Sequence, residues 1–304
     1  MILPQIRESG RALPCAWLAW AVLFLAPSAG PAAELRIAAW NLEHLDDTDG
    51  AGCVGRTGAD YAVLQRRIAA LGADIVAFQE VENAAAAYRV FPESDWHVEI
   101  SGRPPMRNSP DCWDRPGVRL GHLATGFAIR HGIAWRRNAD LKSLGGADPF
   151  QRWGTDIPVT AGGVDVRLLS VHLVTGCWGA EQDREPRREE TCAVLRGQIE
   201  RLRAWGDARQ AGGMPFIVLG DFNRRLALPG DWAWRELSPL SAPLRLLTRG
   251  EPFGCDLRFP AFIDHIVAGG GAEAMLAASS FREWPREAPH PDHCALSAAF
   301  RLGI

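Results

Sequence analysis

Short apolar segments alternate with amphipathic stretches along the 304 residues of this chain. Two stretches, 60–71 and 187–209, carry apolar residues at helical spacing, and Gly72 is expected to end the first. Residues 101–118 are rich in Pro, Gly, Arg and Asp and predict a long loop. Because strands and helices alternate without a linker, we expect an α/β fold in one domain, residues 34–304. The segments expected to form strands are 35–40, 74–80, 124–130, 133–136, 164–173, 216–219, 262–267 and 295–301.

The first 33 residues have the features of a secretory signal peptide. Arg7 and Arg11 precede an apolar run at 16–26, and small residues follow at 27–33. The run is shorter than the roughly 20 apolar residues that span a bilayer, which makes an uncleaved anchor the weaker alternative. We therefore expect residues 1–33 to be removed and the remaining protein to be periplasmic or secreted, without a membrane span.

Removal of residues 1–33 leaves 31 basic and 35 acidic residues, a net charge of −4. That balance does not favour a protein that coats nucleic acid with a broad basic surface. Six cysteines remain without a Cys-x-x-Cys pair, and an even number in an exported chain predicts disulfides rather than a zinc site. We expect Cys177 to pair with Cys192. The other four allow three connectivities, among which the sequence does not choose: Cys53, Cys112, Cys255 and Cys294.

Six apolar segments run directly into small polar clusters. Ionisable side chains are costly at the buried end of a strand unless they are paired or bind a metal. Taken alone, Asp221 with Asn223 or Asp292 with His293 fits a turn, Glu80 fits a helix cap, and His172 fits a buried core histidine. Six such strand ends together predict one site at the edge of a sheet. The clusters are Asn41 with Glu43, Gln79 with Glu80, Ser170 with His172, Asp221 with Asn223, Asp264 with His265, and Asp292 with His293.

These clusters are rich in hard oxygen donors, which suit Mg²⁺, Mn²⁺ or Ca²⁺ better than a soft metal. His172 and His293 add groups that exchange protons near neutral pH. The chain has no P-loop, dinucleotide-binding fingerprint, Gly-x-Ser-x-Gly elbow or His-Glu-x-x-His motif. The combination points to metal-assisted hydrolysis of a phosphate ester. The oxygen donors are Glu43, Glu80, Asp221, Asp264 and Asp292, with the amides of Asn41 and Asn223.

In their order along the chain, the motifs resemble those of the endonuclease/exonuclease/phosphatase superfamily, the deoxyribonuclease I-like fold, in its exported bacterial form. The resemblance covers residues 35–300 and implies two packed mixed β-sheets flanked by helices, a four-layer α/β sandwich with its site at one edge. Pro291 stands where the family usually has serine. The matching motifs are Trp40-Asn41, Gln79-Glu80, Ser170-x-His172-Leu173, Gly220-Asp221-Phe222-Asn223, Ile263-Asp264-His265-Ile266 and Asp292-His293-Cys294.

The resemblance also implies a role for each matching residue. Asp221 and Asn223 would align the nucleophilic water and hold the phosphate. His293, oriented by Asp264, would act as general base or as electrophile, and His172 would assist the leaving oxygen. The implied metal ligands are Glu80, as the principal one, with Asn41, Glu43 and Asp292.

The leading functional prediction is a secreted or periplasmic nuclease that acts on DNA or RNA. The alternative is a phosphodiesterase or phosphatase for lipid headgroups or small phosphate esters, similar to sphingomyelinase, and a silent binding module comes third. An exposed aromatic loop would favour the lipid enzyme, and the candidates are Trp113, Trp178, Trp232 and Trp234. A nuclease needs a local basic patch, for which ordinary surface arginines are the equal alternative. The candidates are Arg103, Arg107 and Arg115, with substrate-binding roles assigned to Arg119, Arg224 and Arg225.

Overall fold

The computed structural model describes Met1 and residues 33–239, 243–256, 261–286 and 291–303. The predicted signal peptide, apart from its first and last positions, lies outside the described residues. In the described part of the chain, no helix has the length and apolar character needed to cross a membrane.

Strands and helices alternate through the described residues. The strands are β1 (Ala33–Leu45), β2 (Ile75–Val81), β3 (Trp96–Ile100), β4 (Asp111–Cys112), β5 (Arg115–Arg119), β6 (Ala124–Arg130), β7 (Ala134–Trp135), β8 (Thr155–Ala161), β9 (Val164–His172), β10 (Phe216–Asp221), β11 (Arg245–Leu246), β12 (Asp264–Gly269), β13 (Arg282–Trp284) and β14 (Ala295–Leu302). The helices are α1 (Gly58–Leu71), α2 (Ala84–Tyr88), α3 (Glu189–Ala211), α4 (Trp232–Leu237) and α5 (Ala272–Met275). Short 3-10 helices occur at Lys142–Gly145, Gln182–Arg184 and Pro186–Arg188.

Two six-stranded sheets form the centre of the fold, in the orders β13-β14-β1-β2-β6-β3 and β11-β12-β10-β9-β8-β7. In each sheet two central strands run parallel, β1 with β2 and β9 with β10. In the first sheet β14 pairs antiparallel with β1, on the side away from β2. In the second sheet β12 pairs antiparallel with β10, on the side away from β9. The carboxyl ends of the parallel strands therefore meet the amino end of an antiparallel strand at one edge of each sheet.

The hydrophobic core has three parts, one between the sheets and one on each outer face. Between the sheets, Ile37 and Ile75 pack in the same cluster as Leu168 and Ile217, and each is at most 1% exposed. Helix α1 covers the first sheet, whereas α3 and α4 cover the second. Because both faces of each sheet are covered, the central strands are almost continuously apolar. The predicted four-layer sandwich is confirmed.

The predicted helices are found as α1 and α3, and Gly72 ends α1 in the left-handed conformation, with φ of 55°. Some elements were missed. Strand β8 contains Pro158, a residue that argues against a strand in sequence-based reasoning. The expected loop at 101–118 contains most of a small hairpin, β4–β5, whose Pro and Gly residues hid it.

The described residues form three disulfides. Cys177 pairs with Cys192 as predicted, with an S–S distance of 2.00 Å. The four remaining cysteines form Cys53–Cys112 and Cys255–Cys294.

Candidate active site

The strand ends bring the predicted polar residues together at one edge of the sandwich. Asn41 and Glu80 lie on the parallel strands β1 and β2, and His172 and Asp221 end the parallel strands β9 and β10. Asp264 begins β12 directly opposite Asp221 in the ladder. The two halves of the site therefore come from the equivalent edges of the two packed sheets.

Irregularities in the strand pairing change the direction of these side chains relative to the regular sheet. The pairing of β1 with β2 shifts register between Asn41 and Leu45, and that of β2 with β6 shifts between Phe78 and Val81. Bulges of this kind redirect side chains beside active sites. Of the seven non-glycine residues with positive φ among the described residues, four lie in these segments or just after β10: Glu43, His44, Glu80 and Asn223. Backbone strain is thus concentrated at this edge.

Asn41 connects the two carboxylates at the centre of the site. Its Nδ2 donates to Glu80 Oε1 at 3.0 Å and to Asp221 Oδ2 at 3.1 Å. Its Oδ1 accepts the backbone N–H of Glu43 at 2.9 Å. Burial, with the nearby charge of Asp264, raises the pKa of Asp221 to about 7. The pocket therefore concentrates negative charge that its own residues do not fully compensate.

His172 faces both of these carboxylates. Its Nε2 lies 3.7 Å from Glu80 Oε1 and 3.6 Å from Asp221 Oδ2. Burial, and then the positive charge of Arg152, lowers the pKa of His172 well below its usual value. The ring is therefore neutral near pH 7, even though two carboxylates lie nearby.

His293 has the opposite protonation state. Its Nδ1 lies 2.7 Å from Asp264 Oδ2, and its Nε2 lies 3.8 Å from Asp221 Oδ2. Burial lowers the pKa of His293, but the charge and hydrogen bond of Asp264 outweigh this effect and raise it well above its usual value. His293 is thus held as an imidazolium, with its Nε2–H directed into the site.

The other two predicted metal ligands lie beside each other at the rim. Glu43 Oε2 accepts the backbone N–H of Asp292 at 2.9 Å and lies 3.9 Å from Arg56 Nη2. The side chain of Asp292 is 56% exposed, and its Oδ1 lies 3.7 Å from His293 Nε2. The four predicted ligands therefore form two neighbouring pairs, Asn41 with Glu80 and Glu43 with Asp292.

The three arginines predicted to bind substrate have different environments. Arg224 is fully buried, and its guanidinium bonds Asp183 and Asp231 at 2.9 and 2.7 Å. Its predicted contact with substrate is therefore wrong, because the side chain is enclosed by its own carboxylates. Arg225 lines the cavity beside the site and pairs with Glu181. Arg119 is exposed on β5, 3.7 Å from Asp111.

Another candidate for the basic patch, Arg103, is also buried, at 5% exposed, and bonds the backbone carbonyls of Pro149 and His122. Burial lowers the pKa of Arg103 to about 10. It supports the loop before β8 rather than offering a charge to substrate.

Arg152 is a site residue that the sequence reasoning missed. Its Nε donates to the His172 carbonyl at 3.2 Å, its Nη2 donates to the Leu173 carbonyl, and no carboxylate of the described residues is within ion-pair distance. The guanidinium is near enough to Glu80 and Asp221 for their charges to raise its pKa, although burial lowers it overall. Nothing in the local sequence separates this loop arginine from the many others.

A cavity of about 390 Å³ opens beside His293 and Asn223. Its walls are largely apolar and include Phe253, Phe262 and Leu296, with Trp178 at one side. The cavity therefore leaves room for an organic group beside His293.

The donor set fits a hard divalent cation. Glu80, His172 and Asp221 each offer a ligand atom within 4.8 Å of the others, and so do Asp221, Asp264 and His293. Burial, and then the charge of Asp264, raises the pKa of Asp221, and a bound cation would stabilise carboxylates in such a pocket. Oxygen donors are those that Mg²⁺, Mn²⁺ and Ca²⁺ prefer.

A protein-family sequence model described as "Endonuclease/Exonuclease/phosphatase family" matches residues 38–285 of the chain. The chain belongs to this family. Its members are hydrolases of phosphate esters, and divalent metals are common among them. No curated protein sequence matches the chain.

Solved structures share the fold of this family member at low sequence identity. Truncated Caenorhabditis elegans TDP2 has a TM-score of 0.57 at 16% identity, covering 88% of this chain and 98% of its own. The human Nocturnin catalytic domain with bound sulfate has a TM-score of 0.58 at 16% identity, covering 88% and 94%. The 3' phosphatase NExo from Neisseria, bound to a product DNA hairpin, has a TM-score of 0.55 at 18% identity, covering 88% and 99%. At these identities the likeness concerns the fold alone.

Proposed function

We propose that this protein is a divalent-metal-dependent nuclease that hydrolyses phosphodiester bonds of DNA or RNA. The main support is the convergence of Glu80, Asp221, His172 and His293 at one edge, with His293 held by Asp264 at 2.7 Å. This arrangement offers carboxylates for a cation and a water, and an imidazolium for the phosphoryl oxygen.

His293 acts in this proposal as an electrophile rather than as a base, because Asp264 keeps it protonated. Its Nε2–H donates to a nonbridging phosphoryl oxygen, where negative charge increases in the transition state. Asp221 orients the attacking water and accepts its proton. The backbone N–H of Asn223 donates to Asp221 Oδ1 at 2.8 Å, and its side-chain Nδ2 donates to the Leu173 carbonyl at 3.1 Å. In this proposal the Asn223 side chain, held beside Asp221 by these bonds, contacts the phosphate.

His172 is placed to serve the leaving oxygen. Its neutral ring can donate through Nε2, the nitrogen that lies between Glu80 and Asp221. Burial, and then the positive charge of Arg152, lowers the pKa of His172 and keeps its ring neutral. As the phosphorus–oxygen bond opposite the attacking water breaks, this hydrogen bond stabilises the charge on the departing oxygen.

Glu80 would be the principal ligand of the metal, with Asn41 and Asp221 completing its surroundings and Glu43 and Asp292 holding the rim. A bound Mg²⁺ or Mn²⁺ supplies Lewis-acid polarisation of the phosphoryl oxygen and offsets the carboxylate charge.

Two observations support a nucleic acid as substrate and an oxidising compartment as location. A 3' phosphatase of the same fold was solved with a product DNA hairpin, and an AP endonuclease from Archaeoglobus fulgidus also shares the fold. The three disulfides favour a periplasmic or secreted protein, because disulfides persist in oxidising environments. The proposed signal peptide, residues 1–33, agrees with that location.

The test is a substrate panel with metal controls. Single-stranded and plasmid DNA, RNA, sphingomyelin and bis(p-nitrophenyl) phosphate are incubated with Mg²⁺, with Mn²⁺ or with EDTA. We expect cleavage of nucleic acid that EDTA abolishes and that Glu80→Gln or His293→Ala reduces by about a hundredfold or more. The matched control is His131→Ala, because this exposed histidine follows β6 at the opposite edge of the sheet. Near-normal hydrolysis of every ester by His293→Ala contradicts the assignment, and turnover of sphingomyelin alone selects the lipid enzyme.

A further inference from the structure

One large aromatic side chain of the fold is left almost completely in solvent. Trp113, in the turn of the β4–β5 hairpin, is 96% exposed. Among the described residues after Met1, the one other exposed large hydrophobic side chain is Phe150, at 38%. An indole offers a large apolar face, so its exposure is a sign of an interaction site when the surrounding backbone holds it in place.

The hairpin that carries Trp113 is fixed to the body of the protein. The neighbouring Cys112 is joined to Cys53 in the loop after β1. Arg115 Nη1 donates to the carbonyls of Gly50 and Gly52 at 3.1 and 2.6 Å. Because the hairpin backbone is held in this way, little ordering of the backbone is needed when Trp113 binds a partner.

The hairpin lies at the edge of the fold that carries the active site. Three residues after the end of β5, the backbone N–H of His122 donates to Glu82, two residues beyond Glu80. Gly121 and Cys53 line a small cavity together with Glu80 itself. Trp113 is therefore presented beside the ends of β1 and β2, on the flank of the catalytic centre formed by Glu80.

The surroundings of Trp113 favour a nucleobase over a membrane. Insertion into a lipid interface uses a contiguous apolar surface, whereas Trp113 stands alone between the exposed Asp111 and Asp114. One of these carboxylates is paired, because Asp111 Oδ1 lies 3.7 Å from Nε of the exposed Arg119 on the same hairpin. A single exposed aromatic face at the flank of the site matches a single strand, whose bases stack on aromatic side chains.

We propose that Trp113 stacks on a nucleobase of the substrate strand, outside the nucleotides that flank the scissile phosphate. This inference rests on the proposed nuclease function and specifies it: the substrate is a strand with unpaired, accessible bases. Trp113 contributes to binding the strand and takes no part in the chemical step.

The experiment compares the wild-type protein with Trp113→Ala and Trp113→Phe on three ligands. These are a single-stranded DNA oligonucleotide, a strand of equal length with abasic sites, and bis(p-nitrophenyl) phosphate. Stacking on an aromatic side chain is worth about 1–3 kcal/mol per base, so Trp113→Ala should raise KM for the oligonucleotide about fivefold to a hundredfold. KM for the abasic strand and the small diester, and kcat for all substrates, should stay unchanged, and Trp113→Phe should recover most of the loss.

Binding is also measured without turnover, by fluorescence anisotropy of a labelled oligonucleotide in EDTA. A weaker Kd for Trp113→Ala in this assay supports the stacking even if no strand is cleaved, so that failure of the nuclease function is seen separately. Equal changes of KM for base-containing and abasic strands overturn the proposal. So does unchanged oligonucleotide binding combined with lost binding to sphingomyelin–phosphatidylcholine vesicles, which assigns Trp113 to a lipid surface.

Discussion

His265 should make the stability of this protein depend on pH, because its ring is enclosed beside the catalytic edge. The residue is 0% exposed, and its Nε2 lies 2.8 Å from the Arg224 carbonyl. Since a carbonyl only accepts, Nε2 carries the hydrogen, and Nδ1 accepts from the hydroxyl of Thr248 at 2.6 Å. Both nitrogens are satisfied in the neutral form. Burial accordingly lowers the pKa of His265 to about 4.

The magnitude follows from the difference between the folded and unfolded pKa. An unfolded histidine has a pKa of about 6.5, so below that pH the unfolded chain binds a proton that folded His265 does not. The stabilisation is complete above pH 6.5 and is lost as the pH falls toward 4. Integrated from pH 8 to pH 5, the difference lowers the free energy of unfolding by about 2 kcal/mol.

The perturbation is His265→Gln, which keeps a polar side chain but cannot be protonated. Urea unfolding of both proteins, with disulfides intact, is followed by tryptophan fluorescence at pH 8 and pH 5. The variant is expected to be less stable than the wild type at pH 8, because it loses hydrogen bonds. From pH 8 to pH 5, however, its free energy of unfolding should fall by about 2 kcal/mol less than that of the wild type. Other groups titrate in both proteins and cancel in this comparison. If both lose the same free energy, the neutral, enclosed state of His265 is refuted.

Two further predictions concern buried arginines. Arg224→Met should lower the free energy of unfolding by about 3–5 kcal/mol, because it leaves Asp183 and Asp231 without their cation. Arg225→Met, beside it in the chain, should cost about 1 kcal/mol or less, and equal losses in urea unfolding contradict the difference in burial. Arg152→Gln should reduce kcat/KM for bis(p-nitrophenyl) phosphate about tenfold to a hundredfold, the worth of one charge-assisted hydrogen bond, and should raise the pKa of His172 seen in the pH–rate profile. An unchanged pH–rate profile would contradict a role of Arg152 in the site.

The site was predictable from the sequence because its residues stand at strand ends. A run of buried residues followed by Glu80, or by Asp221 and Asn223, is visible without any knowledge of the fold. The ladder then places these ends at one edge, since the register of β10 with β12 sets Asp221 opposite Asp264. The hydrogen bond between Asp264 and His293, 29 positions apart, follows from the same arrangement.

Loop arginines were less predictable, because their environment depends on contacts distant in sequence. Arg224 and Arg225 are neighbours, yet one is enclosed by Asp183 and Asp231 and the other lines the cavity. Arg152 lies in a loop, and its guanidinium donates to the His172 carbonyl at the end of β9. The pattern of apolar and polar residues in the sequence does not predict such a contact between a loop and a strand. A charge run in a sequence gives the number of cations but not the carboxylates that pair with them.

The three disulfides offset a cost that the edge with the candidate site imposes on the fold. The edge combines mutually repelling carboxylates with four positive-φ residues, and both features favour unfolding. Each disulfide joins a loop at this edge: Cys53 lies after β1, Cys177 after β9, and Cys294 beside His293. Their sequence separations of 59, 15 and 39 residues correspond to about 3–4 kcal/mol each in the chain-entropy model. The cross-links thus stabilise the loops that hold the site, while the apolar core stabilises the sheets beneath it.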